Sequence, residues 1–100
     1  MCVQAGNVNT GAFDPFEDII DRVRSFDAPA WVHVDGAFGL WARVAPQRAH
    51  LTRGVELADS WATDAHKWLN SPYDCGIAIA RDGETLRKSL GLKAAYLPND

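Results

Sequence analysis

One hundred residues make at most one small domain. A net charge of -3, with basic residues scattered among acidic ones, gives no basic stripe and no reason to expect a nucleic-acid partner. No apolar run approaches the roughly 20 residues that span a bilayer, and no charged segment leads into an apolar one as in a signal peptide. Cys2 and Cys75 are too far apart to form a CxxC pair, which leaves two reduced thiols and a cytoplasmic chain as the expectation.

In chain order, Val3 to Gly6 reads as a short strand, and Gly6-Asn7-Val8-Asn9-Thr10-Gly11 as a loop. Asp14-Pro15-Phe16-Glu17 opens a helix: Asp14 caps, Pro15 suits the first helical position, and Glu17 completes a capping-box spacing. Phe16, Ile19, Ile20 and Val23 then repeat at helical intervals and define one apolar face. Asp27-Ala28-Pro29 ends it. Trp31 to Val34 reads as a strand that stops at the turn Asp35-Gly36-Ala37-Phe38-Gly39. Residues 40 to 53 are partly helical, with Gly54 as a stop. Leu57 to Ala62 is a strand, Thr63 to Trp68 irregular, and Cys75 to Ala80 a further strand. Arg81-Asp82-Gly83 turns into a helix from Glu84 to Leu90, closed by Gly91.

This alternation predicts an α/β sheet, parallel at least in its first part. In open parallel sheets ligands sit beyond the carboxyl ends of the strands. Asn7, Asp35 and Lys67 each follow a predicted strand, so the pattern permits all three on one edge. Taken singly, Asp35 also reads as turn chemistry and Lys67 as a solvated surface charge. Lys67, however, stands between His66 and Trp68-Leu69 in an apolar, low-charge stretch, where a lysine can serve as an amine nucleophile. A lysine amine and a carboxylate are the pair that a pyridoxal phosphate ring uses, one at its aldehyde and one at its ring nitrogen. His33, Asp35 and His66 also have the composition of a two-histidine, one-carboxylate metal centre, although that chemistry usually sits in an all-β barrel. The four tryptophans, Trp31, Trp41, Trp61 and Trp68, read as core and interface packing and not as a binding platform.

His33-Val34-Asp35-Gly36-Ala37-Phe38-Gly39 followed by Asp64-Ala65-His66-Lys67-Trp68-Leu69 resembles the paired signature of the group II pyridoxal-phosphate-dependent amino-acid decarboxylases. Tyr73-Asp74-Cys75-Gly76 is similar to the strand entry after the family's lysine, and Gly6 to Gly11 with Phe13-Asp14 to its preceding loop. The resemblance implies part of the large domain of the aspartate-aminotransferase-like, fold type I enzymes: a mostly parallel sheet with flanking helices.

It also implies pyridoxal 5'-phosphate held as a Schiff base on Lys67, Asp35 at the pyridine nitrogen, Ala37 packed on one ring face, and His66 near the phosphate or ring substituents. Asn7 stands where many members carry a threonine near the cofactor, and Asp64 where some have asparagine or serine. The implied reaction turns an L-amino acid into an amine and carbon dioxide, in a homodimer. Residues 1–100 then read as a fragment, inactive when isolated. The phosphate-binding segment and a ring-stacking histidine are expected upstream of Met1. The loop with the catalytic tyrosine is expected after Asp100, so Tyr96 is given no catalytic role, and the small C-terminal domain is absent. Aminotransferases, desulfurases and aldehyde synthases share the Asp and Lys pair, and a non-catalytic truncated product is the reading outside enzymology.

Overall fold

The computed structural model describes residues 1–91. Tyr96 and the terminal connection it belongs to lie outside the described residues. Four strands, β1 (Cys2–Gln4), β2 (His33–Asp35), β3 (Ser60–Asp64) and β4 (Gly76–Ala80), form one sheet in that order. The first three are parallel, and β4 returns antiparallel to β3. Helix α1 (Phe16–Arg24) connects β1 to β2, and α2 (Gly83–Leu90) follows β4. The predicted α/β alternation is therefore observed, with the parallel part first.

Period-two geometry decides which face each strand residue serves. Val3 pairs with Val34, and Val34 with Trp61. That row packs into a core with Ala5, Val32, Val55, Ala58 and the buried face of α1, Phe16, Ile20 and Val23. The next row, Gln4, Asp35 and Ala62, projects to the opposite face. One alternation thus puts valine in the core and Asp35 away from it. Trp61 packs against the core, whereas Trp31 is 44% and Trp68 73% exposed, so these two contribute no core packing within the described chain.

Two local expectations are corrected, at Asp14 and at β3, and one, for residues 40 to 53, is made specific. Asp14 does not cap α1; its Oδ2 accepts the backbone N–H of Gln4 at 2.7 Å, and Pro15 takes the cap position without a side-chain bond. The reason is the open edge of β1, whose N–H needs an acceptor more than the helix end does. Residues 40 to 57 form three short 3-10 turns, Leu40–Val44, Ala49–Thr52 and Val55–Leu57. Gly54 separates the last two at φ 84°, where a Cβ would lie 2.7 Å from the backbone of Glu17. Finally, β3 starts later than predicted and runs through Thr63 and Asp64, because both pair with β4, to Ile77 and Gly76. At the end of the chain the predicted turn and helix hold: the Asp82 side chain accepts the N–H of Glu84 at the start of α2.

Asp59 ties the layers together. Its Oδ2 accepts the N–H of Val32 at 2.7 Å, and its Oδ1 pairs with Arg24 at 2.9 Å. Burial pushes its pKa up, but the Val32 N–H and the Arg24 and Arg81 charges outweigh this and hold it below the ordinary aspartate value of 3.8. A depressed folded-state pKa contributes stability that is present above the unfolded value and lost as pH falls through the folded one. Asp59→Ala should therefore lower the unfolding free energy by about 2 kcal/mol at pH 7, the scale of a lost charge-assisted hydrogen bond. The difference from wild type should shrink as pH drops below about 4. Urea unfolding at pH 7 and pH 3 measures both, and an equal deficit at the two values would contradict the assignment.

Candidate functional site

Asp35 is the last residue of β2, and the chain turns sharply after it. The turn is pinned from below: the Gly36 N–H donates to the Ala62 carbonyl at 2.8 Å, and the buried Thr63 hydroxyl donates to the Gly36 carbonyl at 2.9 Å. Gly39 N–H donates to the Ala5 carbonyl at 3.0 Å, in an approach so close that a Cβ on Gly39 would stand 2.4 Å from that oxygen. Glycine is required there because backbone meets backbone. These contacts fix the Asp35 carboxylate. Its Oδ1 accepts the Ala37 N–H at 3.2 Å, and among the described residues Oδ2 has no hydrogen-bond partner.

Asp35 lines a cavity of about 320 Å³ together with Gln4, Gly6, Val8, Ala37, Phe38 and Lys67. The two residues on which the sequence reading depends, Asp35 and Lys67, therefore share one concavity at the carboxyl edge of the parallel strands. Ala37 is in its wall as well. A larger cavity of about 410 Å³ opens at the start of α1, beside His50 and Arg53, and contains none of the predicted site residues.

Lys67 follows the end of β3 by one turn. Its surroundings are not the apolar, low-charge ones that its sequence neighbours imply. Nζ pairs with Asp64 Oδ2 at 2.8 Å and sits 4.0 Å from the centre of the Phe38 ring, an arrangement suited to a cation. The Lys67 hydrogen bond, helped by the Lys67 and His66 charges, outweighs burial and lowers the Asp64 pKa. His66 stands on the other side of that carboxylate, its Nε2 3.6 Å from Asp64 Oδ2. The Cys75 N–H donates to His66 Nδ1 at 2.9 Å, which leaves the ring proton of the neutral form on Nε2, toward Asp64. The Cys75 carbonyl, 3.1 Å from the same nitrogen, is taken by the Ala65 N–H at 2.8 Å. Tyr73 packs edge-on against the imidazole, with ring centres 4.7 Å apart. His66, Asp64 and Lys67 thus form one cluster at the rim of the cavity.

Asn7 is placed differently. Its Nδ2 donates to Gln4 Oε1 at 2.8 Å, and its Oδ1 accepts from Asn9 N at 2.9 Å and Thr10 N at 3.2 Å. The side chain is engaged in building its own loop, while its neighbours Gly6 and Val8 reach the cavity wall. His33 is a packed strand histidine, with Nδ1 2.7 Å from Ser60 Oγ. Among the described residues no group of three His, Cys, Asp or Glu side chains is arranged to hold a metal ion. Gln4, Val8 and Phe38 were not singled out in the sequence. The alternation of β1 would have found Gln4, which lies opposite the core residue Val3.

A family model, the pyridoxal-dependent decarboxylase conserved domain, matches residues 1–100. The chain is 37% identical over 97 residues to 4-hydroxyphenylacetaldehyde synthase of Rhodiola rosea, covering 97% of this chain and 19% of that protein. It is 33% identical over 99 residues to aromatic-L-amino-acid decarboxylase of Bacillus atrophaeus, covering 97% of this chain and 20% of that protein. The crystal structure of Oryza sativa TDC with PLP and tryptamine superimposes with a TM-score of 0.87 at 36% identity, over 99% of this chain and 20% of that one. The chain therefore spans about a fifth of the length of the relatives it matches.

Proposed function

The chain belongs to the pyridoxal-dependent decarboxylase family, and from that premise we propose that it forms part of the cofactor-binding large domain of an enzyme that removes the carboxyl group of an L-amino acid. The observation that carries this reading is the shared cavity: Asp35 and Lys67 line it together, at the edge where parallel sheets bind ligands.

The donor set suits pyridoxal 5'-phosphate. A ring nitrogen needs an acceptor for its proton, and among the described residues Asp35 Oδ2 has no partner. An aldehyde needs an amine, and Lys67 is the lysine in the cavity wall. A flat ring needs a wall without bulk, which Ala37 and Gly6 provide. When bound, the cofactor supplies an electron sink for the pair left behind by carbon dioxide.

Residues of this chain take a defined share of the remaining work. Asp35 holds a proton at the ring nitrogen, and its own position is held by Ala37 N–H and by the pinned turn beneath it. Lys67 anchors the cofactor and delivers or receives protons at Nζ. His66, with its Nδ1 fixed by Cys75, keeps a defined ring orientation beside the lysine. Asn7 serves the site through the loop that carries Gly6 and Val8. An amino-acid substrate, a homodimeric assembly and a cytoplasmic location belong to the same reading.

The names of the relatives include both decarboxylases and an aldehyde synthase, so the product must be identified and not only the gas. Full-length protein with pyridoxal phosphate should show a visible absorbance band. It should release carbon dioxide from an aromatic amino acid and leave the amine. Aldehyde in place of amine would move the assignment to the synthases, and absence of both the band and the gas would refute the reading.

A further inference from the structure

We propose that Asp64 is the resting partner of Lys67, a positioning residue that holds Nζ at the cavity rim and must be exchanged for the incoming aldehyde. This rests on Lys67 being the cofactor lysine, and it adds a gate to that role.

The geometry is specific. Asp64 closes β3, fixed by its pairing with Gly76, and Lys67 lies one turn further on. The 2.8 Å contact brings Nζ to the carboxylate, and the Phe38 ring, 4.0 Å away, bounds it on another side. The charged and titratable groups around the amine are Asp64, His66 across that carboxylate, and Asp35 in the wall of the same cavity. Held as a cation against this carboxylate, Nζ has no lone pair to offer an aldehyde, and the contact favours that state.

Capture requires the contact to break. The amine nitrogen forms a bond to the aldehyde carbon, the carbonyl oxygen leaves as water with two nitrogen-bound hydrogens, and the third proton of the ammonium goes to solvent. The product nitrogen no longer carries the charge that Asp64 attracts. Asp64 therefore stabilises the state before capture more than the state after it.

The pair is partly exposed, with 32% of the Lys67 side chain and 26% of the Asp64 side chain accessible. Its strength should therefore fall with salt. That gives a readout that a purely structural role would not move. The test uses full-length protein stripped of cofactor and an uncharged probe, pyridine-4-carboxaldehyde, with the adduct trapped by borohydride and located by mass spectrometry. Asp64→Asn should label Lys67 about fivefold faster at low salt, the upper range for a partly exposed ion pair. High salt should quicken the wild type toward the variant, and Asp64→Glu should restore the slow, salt-sensitive capture.

Equal rates and equal salt responses in wild type and Asp64→Asn would overturn the proposal, as would slower labelling of the variant at every salt concentration. If Asp64→Asn does not fold, the wild type alone decides, since capture that does not quicken with salt is the same negative result. Failure of the underlying reading looks different: the label would then fall on a residue other than Lys67.

Discussion

Lys67→Ala in the full-length protein should lose the borohydride-trapped pyridoxal phosphate label completely. The chain contains three lysines, Lys67, Lys88 and Lys93. Among the described residues, Lys67 is the lysine in the wall of the cavity with Asp35. Lys88 lies on α2, 3.8 Å from Glu84 in a solvent-facing pair, and offers no enclosed surface to a ring. Lys67→Arg separates chemistry from charge. Its guanidinium retains a cation for Asp64 but stays protonated and cannot condense with an aldehyde. Both variants should therefore fold, bind pyridoxal phosphate more weakly, and yield no labelled peptide from residues 65–70. A label at that site in either variant, or undiminished labelling elsewhere at one equivalent, would remove Lys67 from the role.

The second large effect is at Asp35. Asp35→Asn keeps the size of the side chain and an oxygen for the Ala37 N–H, but removes the negative charge. In the proposed role that charge would hold a proton on the ring nitrogen, and its loss would leave the ring a poor electron sink. Loss of one well-placed electrostatic group costs about a hundredfold to a thousandfold in kcat. Asp35→Asn and Asp35→Ala should both lose at least that much at saturating cofactor. The alanine variant should also bind the cofactor less tightly, since it leaves the Ala37 N–H without its acceptor. Steady-state carbon dioxide release, with cofactor occupancy measured separately, distinguishes the two losses. Wild-type kcat in the asparagine variant would exclude Asp35 as the partner of the nitrogen.

How much of this could be read from residues alone depended on whether the signal was local. The face of α1 follows from Phe16, Ile20 and Val23, whose spacing is a property of the helix itself. The first two strands follow from local runs bounded by glycines and asparagines, although β1 ends at Gln4 and not at Gly6, and β2 runs from His33 to Asp35 and not from Trp31 to Val34. Partners from distant segments were not legible. Asp14 satisfies an edge N–H of β1, which no cap pattern announces. Thr63 and Asp64 join β3 only because β4 arrives from beyond residue 75 to pair with them. The environment of Lys67 differs from the one its sequence suggests for a related reason. Its adjacent residues in sequence are apolar, but the groups that touch Nζ are Asp64, three positions back, and Phe38, from another turn. The pairing of Asp35 with Lys67 was legible as chemistry; that they share a cavity needed the sheet.

The alignment of β2 against β3 has a consequence for tolerance to insertion. Gly36 and Thr63 lock the two strand ends to each other. Slippage by a single residue would swing the Asp35 carboxylate into the valine layer, so the vernier between these strands also decides whether Asp35 reaches the cavity. The stretch from 40 to 59 does more than return the chain to the start of β3: Val55 and Ala58 enter the core and Asp59 holds Val32 and Arg24. Insertions there are tolerated only where those residues keep their places.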